Sequence, residues 1–209
     1  TILCPNTFYV IREGENDRMH VLEGSGNYRI CFIDEGQYDG FTLATAMRAA
    51  LNFNSNIPTY TVTYDRKTNK LVIGTTDPTA SFYIYQKAYL KANAATWNAL
   101  VGSSLKVDAN NLMDAGSVTG FDGGTVLFGN STTDVPGVYA VNTLPFHQLF
   151  LRSSSLASGY DSIGADGSSD IVRRITCQVP LNDMIVDQHS LPHDSVSIGN
   201  REISPSRSG

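Results

Sequence analysis

Residues 27–54 read "NYRICFIDEGQYDGFTLATAMRAALNFN", and they decide the fold class. From Tyr28 to Ile33 the chain alternates. Tyr28, Ile30 and Phe32 share one face, and Cys31 and Ile33 share the other. Apolar residues on both faces predict a buried strand. "DEGQYDG" then turns the chain, and Gly36 and Gly40 are the residues able to supply positive φ there. A helix is predicted next, with Thr42 as N-cap and Asp39 beside its positive end. Leu43, Met47, Ala50 and Leu51 fall at i, i+4, i+7 and i+8, one apolar stripe over about three turns. Ala44, Ala46, Ala49 and Ala50 keep the helix thin enough to lie close to a sheet. Gly36, Tyr38, Gly40, Leu43 and Met47 are therefore the structural positions of the motif.

Downstream, "YTVTYDRKTNKLVIGT" alternates Tyr60, Val62 and Tyr64 with threonines, turns at "DRKTNK" and returns through Leu71 and Ile73. This is a hairpin. "SFYIY" predicts a third strand, and "AATWNALVG" a short helix capped by Gly102. The unit reads β–α–β–β–β–α, with the helix covering a small antiparallel sheet. Upstream, "TFYVI" is strand-like and "REGENDR" a charged loop. Residues 103–137 are rich in Gly, Thr, Ser and Asp, which predicts a surface excursion with one hairpin. Strand signals return at "VYAVN", "FHQLFLRSSSL", "IVRRITCQVPL", "NDMIVDQHS" and "SVSIGNREIS". A polar loop, "ASGYDSIGADGSSD", interrupts them, and "PSRSG" forms a tail. The expectation is an α+β protein, mainly antiparallel β. It has a strand-helix-hairpin module over 1–102, the excursion over 103–137, and a sandwich or jelly-roll-like part over 138–209.

Composition narrows the function classes. Charged residues make up only 17% of the 209-residue chain, and polar character comes from Ser, Thr, Asn and Gly, which suits a turn-rich β protein. A net charge of −5 argues against a broad grip on nucleic acid. The three cysteines, Cys4, Cys31 and Cys177, are far apart and lie in apolar runs. Buried free thiols, and folding in a reducing compartment, follow better than a disulfide framework. No apolar run reaches the length of a membrane span, and no signal peptide is visible.

Candidate chemistry is sparse. His189 and His193 have a zinc-like spacing, but Leu191 and Pro192 lie between them and no cysteine pair precedes them. Asp161, Asp166 and Asp170 share a Gly/Ser-rich loop, as Asp122 does with its neighbouring glycines, without the spacing of a calcium loop. Ser153–Ser155 lack a nucleophile-elbow context. Asp34 and Glu35 are strand neighbours pointing to opposite faces, a poor acid–base pair. Phosphate-cradling glycine motifs are absent from the sequence. "NST" at Asn130 matches the glycosylation sequon, which matters only in a secretory setting. Tyr38, Tyr60, Tyr64, Tyr83, Tyr85 and Trp97 can form sheet core or line a sugar-binding face, and core is the better account.

The ordered segments "GQYDGFTLATAMRAALN", "YTVTYDRKTNKLVI", "SFYIY" and "ATWNALVG" resemble a module of virion proteins of eukaryotic double-stranded DNA viruses. These are the large DNA viruses and their virophage and polinton-like relatives. "FHQLFLRSSSLAS" and "SDIVRRITCQVPLNDMIVDQ" are similar to later strands of that family. The resemblance covers about two thirds of the chain, residues 27–102 and 144–203. It departs at Asn182-Asp183, where the family has glycine, at "LVGSS", and over 103–137. It implies a non-enzymatic minor capsid, penton-like or cement protein of the virion, assembled in the host cytoplasm or nucleus. Its implied partners are the major capsid protein, other minor capsid proteins and further copies of itself. No cofactor, metal, nucleic acid or membrane span is implied. Contacts are expected at the loops of Asp122 and Asp161 and at the basic tail, Arg201 and Arg207. The alternative is a fibre or receptor-binding module that recognises glycans through Tyr60, Tyr64 or Trp97.

Overall fold

The computed structural model describes residues 2–6, 8–57, 59–102, 106–144, 148–152, 171–177, 179 and 183–187. It is α+β and dominated by antiparallel sheet. Two compact units divide it, one of residues 8–145 and one of 1–7 with 146–209. The division thus falls near residues 8 and 145.

In the larger unit, β2 (Arg18–Glu23), β3 (Asn27–Phe32), β6 (Ser81–Tyr85) and β7 (Val126–Asn130) form a four-stranded sheet in the order β3-β2-β6-β7. The hairpin of β4 (Tyr60–Asp65) and β5 (Lys70–Thr75) forms a second sheet with the short β8 (Val135–Pro136). Strand β2 was hidden in sequence behind its charged neighbours. It is an inner strand, paired with β3 and β6, with Met19, Val21 and Glu23 buried on one face and His20 on the other. Strand β3 was expected to be buried and is instead an edge. Phe32 is 55% exposed, with the Arg18 guanidinium 5.4 Å above its ring. "SFYIY" is a strand, but it pairs with β2 and β7 and not with the hairpin.

Helix α1 (Gly40–Asn52) begins two residues before the expected cap. Asp39 is the N-cap. Its carboxylate accepts from the N–H of Phe41 at 2.9 Å and of Thr42 at 2.7 Å, while the Thr42 hydroxyl receives the Asp39 N–H at 2.9 Å. This is a capping box with Thr42 at N3. The predicted stripe of Leu43, Met47, Ala50 and Leu51 is buried. It meets Met19, Val21, Cys31, Tyr60, Val62, Leu71, Ile73, Phe82 and Ile84 in one core. The Tyr60 and Phe82 rings join the two sheets edge to face, 5.2 Å apart.

Gly36 and Gly40 do not have positive φ; Gly14, Gly24 and Gly120 do. Gly40 is required by close approach instead. A Cβ there would stand 2.5 Å from the Tyr64 ring. Gly120, at φ 82°, ends α4 (Gly116–Thr119) in the left-handed region.

The opposite face of the four-stranded sheet carries a second core. Helices α2 (Lys87–Ala92) and α3 (Ala94–Leu100) bring Leu90 and Trp97 onto Tyr28 and Tyr85, with Val107 and Leu112. Helix α2 was not foreseen, and α3 ends at Val101 in extended backbone, so Gly102 is not its left-handed cap. The segment expected as a surface excursion supplies Ala115, Val118, Phe121 and Val135 to the main core. Two of its polar groups are satisfied locally. The Gly116 N–H reaches Asp114 Oδ1 at 2.7 Å, and the Thr119 hydroxyl donates to the Ala115 carbonyl at 2.9 Å. Two predicted strands are absent among the described residues. "VYAVN" is irregular, and in "TFYVI" Ile11 makes only an isolated bridge to Gly36.

The smaller unit pairs β1 (Ile2–Pro5) with β11 (Met184–Asp187), and β9 (Gln148–Arg152) with β10 (Ile171–Thr176), both antiparallel. Ile175, Cys177 and Ile185 form its core. All three cysteines are free thiols, Cys31 and Cys177 buried and Cys4 half-buried.

Candidate interaction surface

The sequence motif builds a groove between β3 and α1 with a volume of about 580 Å³. One wall is β3 itself, residues Asn27 to Phe32. The other is the thin side of the helix, Ala46, Ala49 and Ala50, continued by Phe53. Alanines hold that wall back from the strand and so keep the groove open. Phe53 is 72% exposed at the helix C-terminus, and Phe32 lies at the far end of β3.

Arg29 holds the groove in shape. Its guanidinium pairs with the Glu23 carboxylate and donates to the carbonyls of Leu51, at 3.1 Å, and Phe53. It thereby satisfies carbonyls that the end of α1 leaves open. Glu23 is 3% exposed and also accepts from Asn27 Nδ2 at 2.7 Å, Ser55 Oγ at 2.6 Å and the Asn56 N–H at 2.9 Å. A buried carboxylate persists only with such a full set of donors. This node ties β2, β3 and the exit of α1 together. Sequence reading missed it, because Glu23, Arg29 and Ser55 share no local pattern. Beneath the groove, burial pushes the Cys31 thiol up to about 11.

The residues nominated from sequence sort differently. Leu43 and Met47 are core. Tyr38 is half-buried and donates to the Asp34 carbonyl at 2.7 Å, bracing the turn before α1, where Gly36 bridges Ile11. Asp122 is half-buried, next to Phe121 of the main core. Asp161, Arg201 and Arg207 lie outside the described residues, as do Ser153–Ser155, Asp166, Asp170, His189 and His193. Tyr60 and Trp97 are each 2% exposed, so neither presents a ring face to a sugar. Tyr64 lies over Gly40 and packs edge-on against Phe41 at 5.0 Å.

Among the described residues no group of His, Cys, Asp and Glu is placed to hold a metal. His20 and Asp114 form a buried pair, Nδ1 to Oδ2 3.5 Å, beside a cavity of about 10 Å³. That space holds no more than one water; His20 also borders a cavity of about 180 Å³ lined by Arg18, Ile30, Lys106 and Asp108. No helix among the described residues is long and apolar enough to cross a membrane. Comparison with protein-family models, curated proteins and solved structures finds no match to this chain.

Proposed function

We propose that this chain is a structural virion protein, a minor capsid or cement component that works by packing against other chains. The observation that carries the reading is the β3–α1 groove. It is an open sheet edge flanked by exposed Phe32 and Phe53 and walled by alanines, a surface made for area and complementarity. The ordered segments that resemble virion proteins support the same reading, since that groove is built from "NYRICF" and "GFTLATAMRAALNFN". Non-enzymatic action, the virion location, contacts with a major capsid protein and a sandwich arrangement of the remaining strands belong to this proposal. Quantitative peptide mass spectrometry on gradient-purified, salt-washed particles tests it. A fixed copy number per particle is expected. A chain found soluble in the infected cell and lost from the particles on washing would overturn it.

A further inference from the structure

Among the described residues, three backbone positions of β3 have no partner strand. The Ile33 N–H donates to the Asp17 carbonyl at 2.8 Å, which makes Asp17 and Ile33 a hydrogen-bonded pair. By antiparallel alternation, Met19/Cys31, Val21/Arg29 and Glu23/Asn27 are the next such pairs. On the other side of β2, the Gly24 N–H donates to the Ser81 carbonyl at 2.8 Å and sets the complementary ladder, Leu22/Tyr83 and His20/Tyr85. The two ladders interleave without conflict. Tyr28, Ile30 and Phe32 therefore turn their N–H and C=O groups away from β2, along the free edge that borders the groove. Residues 27–32 contain neither Lys nor Pro, and their one charged side chain, Arg29, is turned inward onto Glu23.

We infer that this groove takes an extended strand from another chain, added antiparallel to β3. Its side chains are small or apolar at alternate positions, and a basic group lies at its N-terminal end. Donor–acceptor sites repeating every second residue, about 6.8 Å apart, match an extended backbone. The alanine wall accepts side chains of modest size, and Phe32 and Phe53 flank them. The charge follows from what is unpaired. Arg29 is engaged by Glu23 and the helix carbonyls, whereas Asp34 lines the groove and has no ion pair among the described residues. Asp34 follows the C-terminal end of β3, so an antiparallel strand places its N-terminal end there. A second copy of this chain fits less well. Pairing two β3 edges about Ile30 would set Gly26, which carries no cation, opposite Asp34. The inference rests on the reading that the chain works by packing against neighbours, and its test is independent of the particle measurement.

The test titrates the full, ¹⁵N-labelled chain with the synthetic hexapeptide amide Lys-Val-Ala-Val-Ala-Val. Controls are the reversed sequence and a version N-methylated at alternate residues, in each of the two registers. Binding should shift the amide resonances of Tyr28, Ile30 and Phe32 and slow their hydrogen exchange. Methylation in one register should abolish both effects, and reversal should weaken binding. Asp34→Asn should lower affinity about two- to fivefold. Ala49→Lys, at an exposed helix position, should lower it at least tenfold with an unchanged unfolding transition. Three results would overturn the inference. One is no shift at millimolar peptide, and another is shifts indifferent to methylation. The third is a sedimentation profile in which the free chain dimerises and Ala49→Lys makes it monomeric, which would give the groove to a second copy.

Discussion

Gly40→Ala separates two reasons for a glycine at the start of α1. The backbone there is ordinary, so φ exerts no demand. The demand comes from Tyr64, whose Cε2 and Cζ atoms lie 2.5 Å from where a Cβ would stand. Favourable carbon contacts lie at about 3.5–4.0 Å, so the ring must retreat by about 1 Å. It is poorly placed to do so, since its hydroxyl bonds to the Asn69 side chain and its edge meets Phe41. Overpacking of this kind costs about 1–3 kcal/mol. Alanine recovers up to about 1 kcal/mol of helix propensity, less at the first helical residue. The net expectation is a loss of about 1–2 kcal/mol. With a urea m-value of about 2 kcal/mol/M, the midpoint falls by about 0.5–1 M. In a Tyr64→Ala background the same substitution should be neutral or stabilising, giving a coupling of about 1–3 kcal/mol. An equal penalty in both backgrounds would refute the contact argument and return the cause to the backbone.

Other substitutions probe the core, the cap and the buried node. Met47→Ala, at a fully buried position, should cost about 2–5 kcal/mol in chemical denaturation; a loss below 1 kcal/mol would contradict the core assignment. Asp39→Ala should cost about 0.5–2 kcal/mol. The bonds from Thr42 hold the Asp39 carboxyl below its ordinary 3.8, so its contribution is complete above that pH and fades as pH falls through the lower folded value. The stability difference between wild type and Asp39→Ala should therefore shrink below pH 3.8 and stay flat above pH 5. Glu23→Ala should destabilise by about 3–5 kcal/mol, because it strands the Arg29 guanidinium. Native Cys31 should resist a thiol reagent at pH 8 and react at that pH once unfolded, since its folded-state value is about 11; rapid native labelling at Cys31 would contradict its burial.

Local features were legible in the sequence, and pairings were not. The helix stripe and the β4–β5 hairpin carry their periods within a dozen residues, so Leu43, Met47, Tyr60 and Val62 could be placed inside. Strand β2 lacks a single-faced alternation because both its faces are buried, and "REGEND" before it pulls the eye to a loop. The partnership of β6 with β2 joins residues some sixty positions apart and leaves no local trace. Residues 106–137 read as surface because Gly and Asp are frequent there, yet the Gly116 N–H bonds back to Asp114, and Phe121 and Val118 face the core. The groove was hidden for the same reason as the β6–β2 pairing. Its floor needs the knowledge that β3 is an edge, and sheet order is a property of the whole chain.

We propose that this chain functions with its β3 edge covered by a neighbour. Hydrogen exchange read by mass spectrometry, on the free chain and on the chain within purified particles, tests it most directly. Tyr28, Ile30 and Phe32 should exchange fast in the free chain and slowly in the particle, while Cys31 stays protected in both. Equal exchange of residues 27–34 in the two states would contradict it.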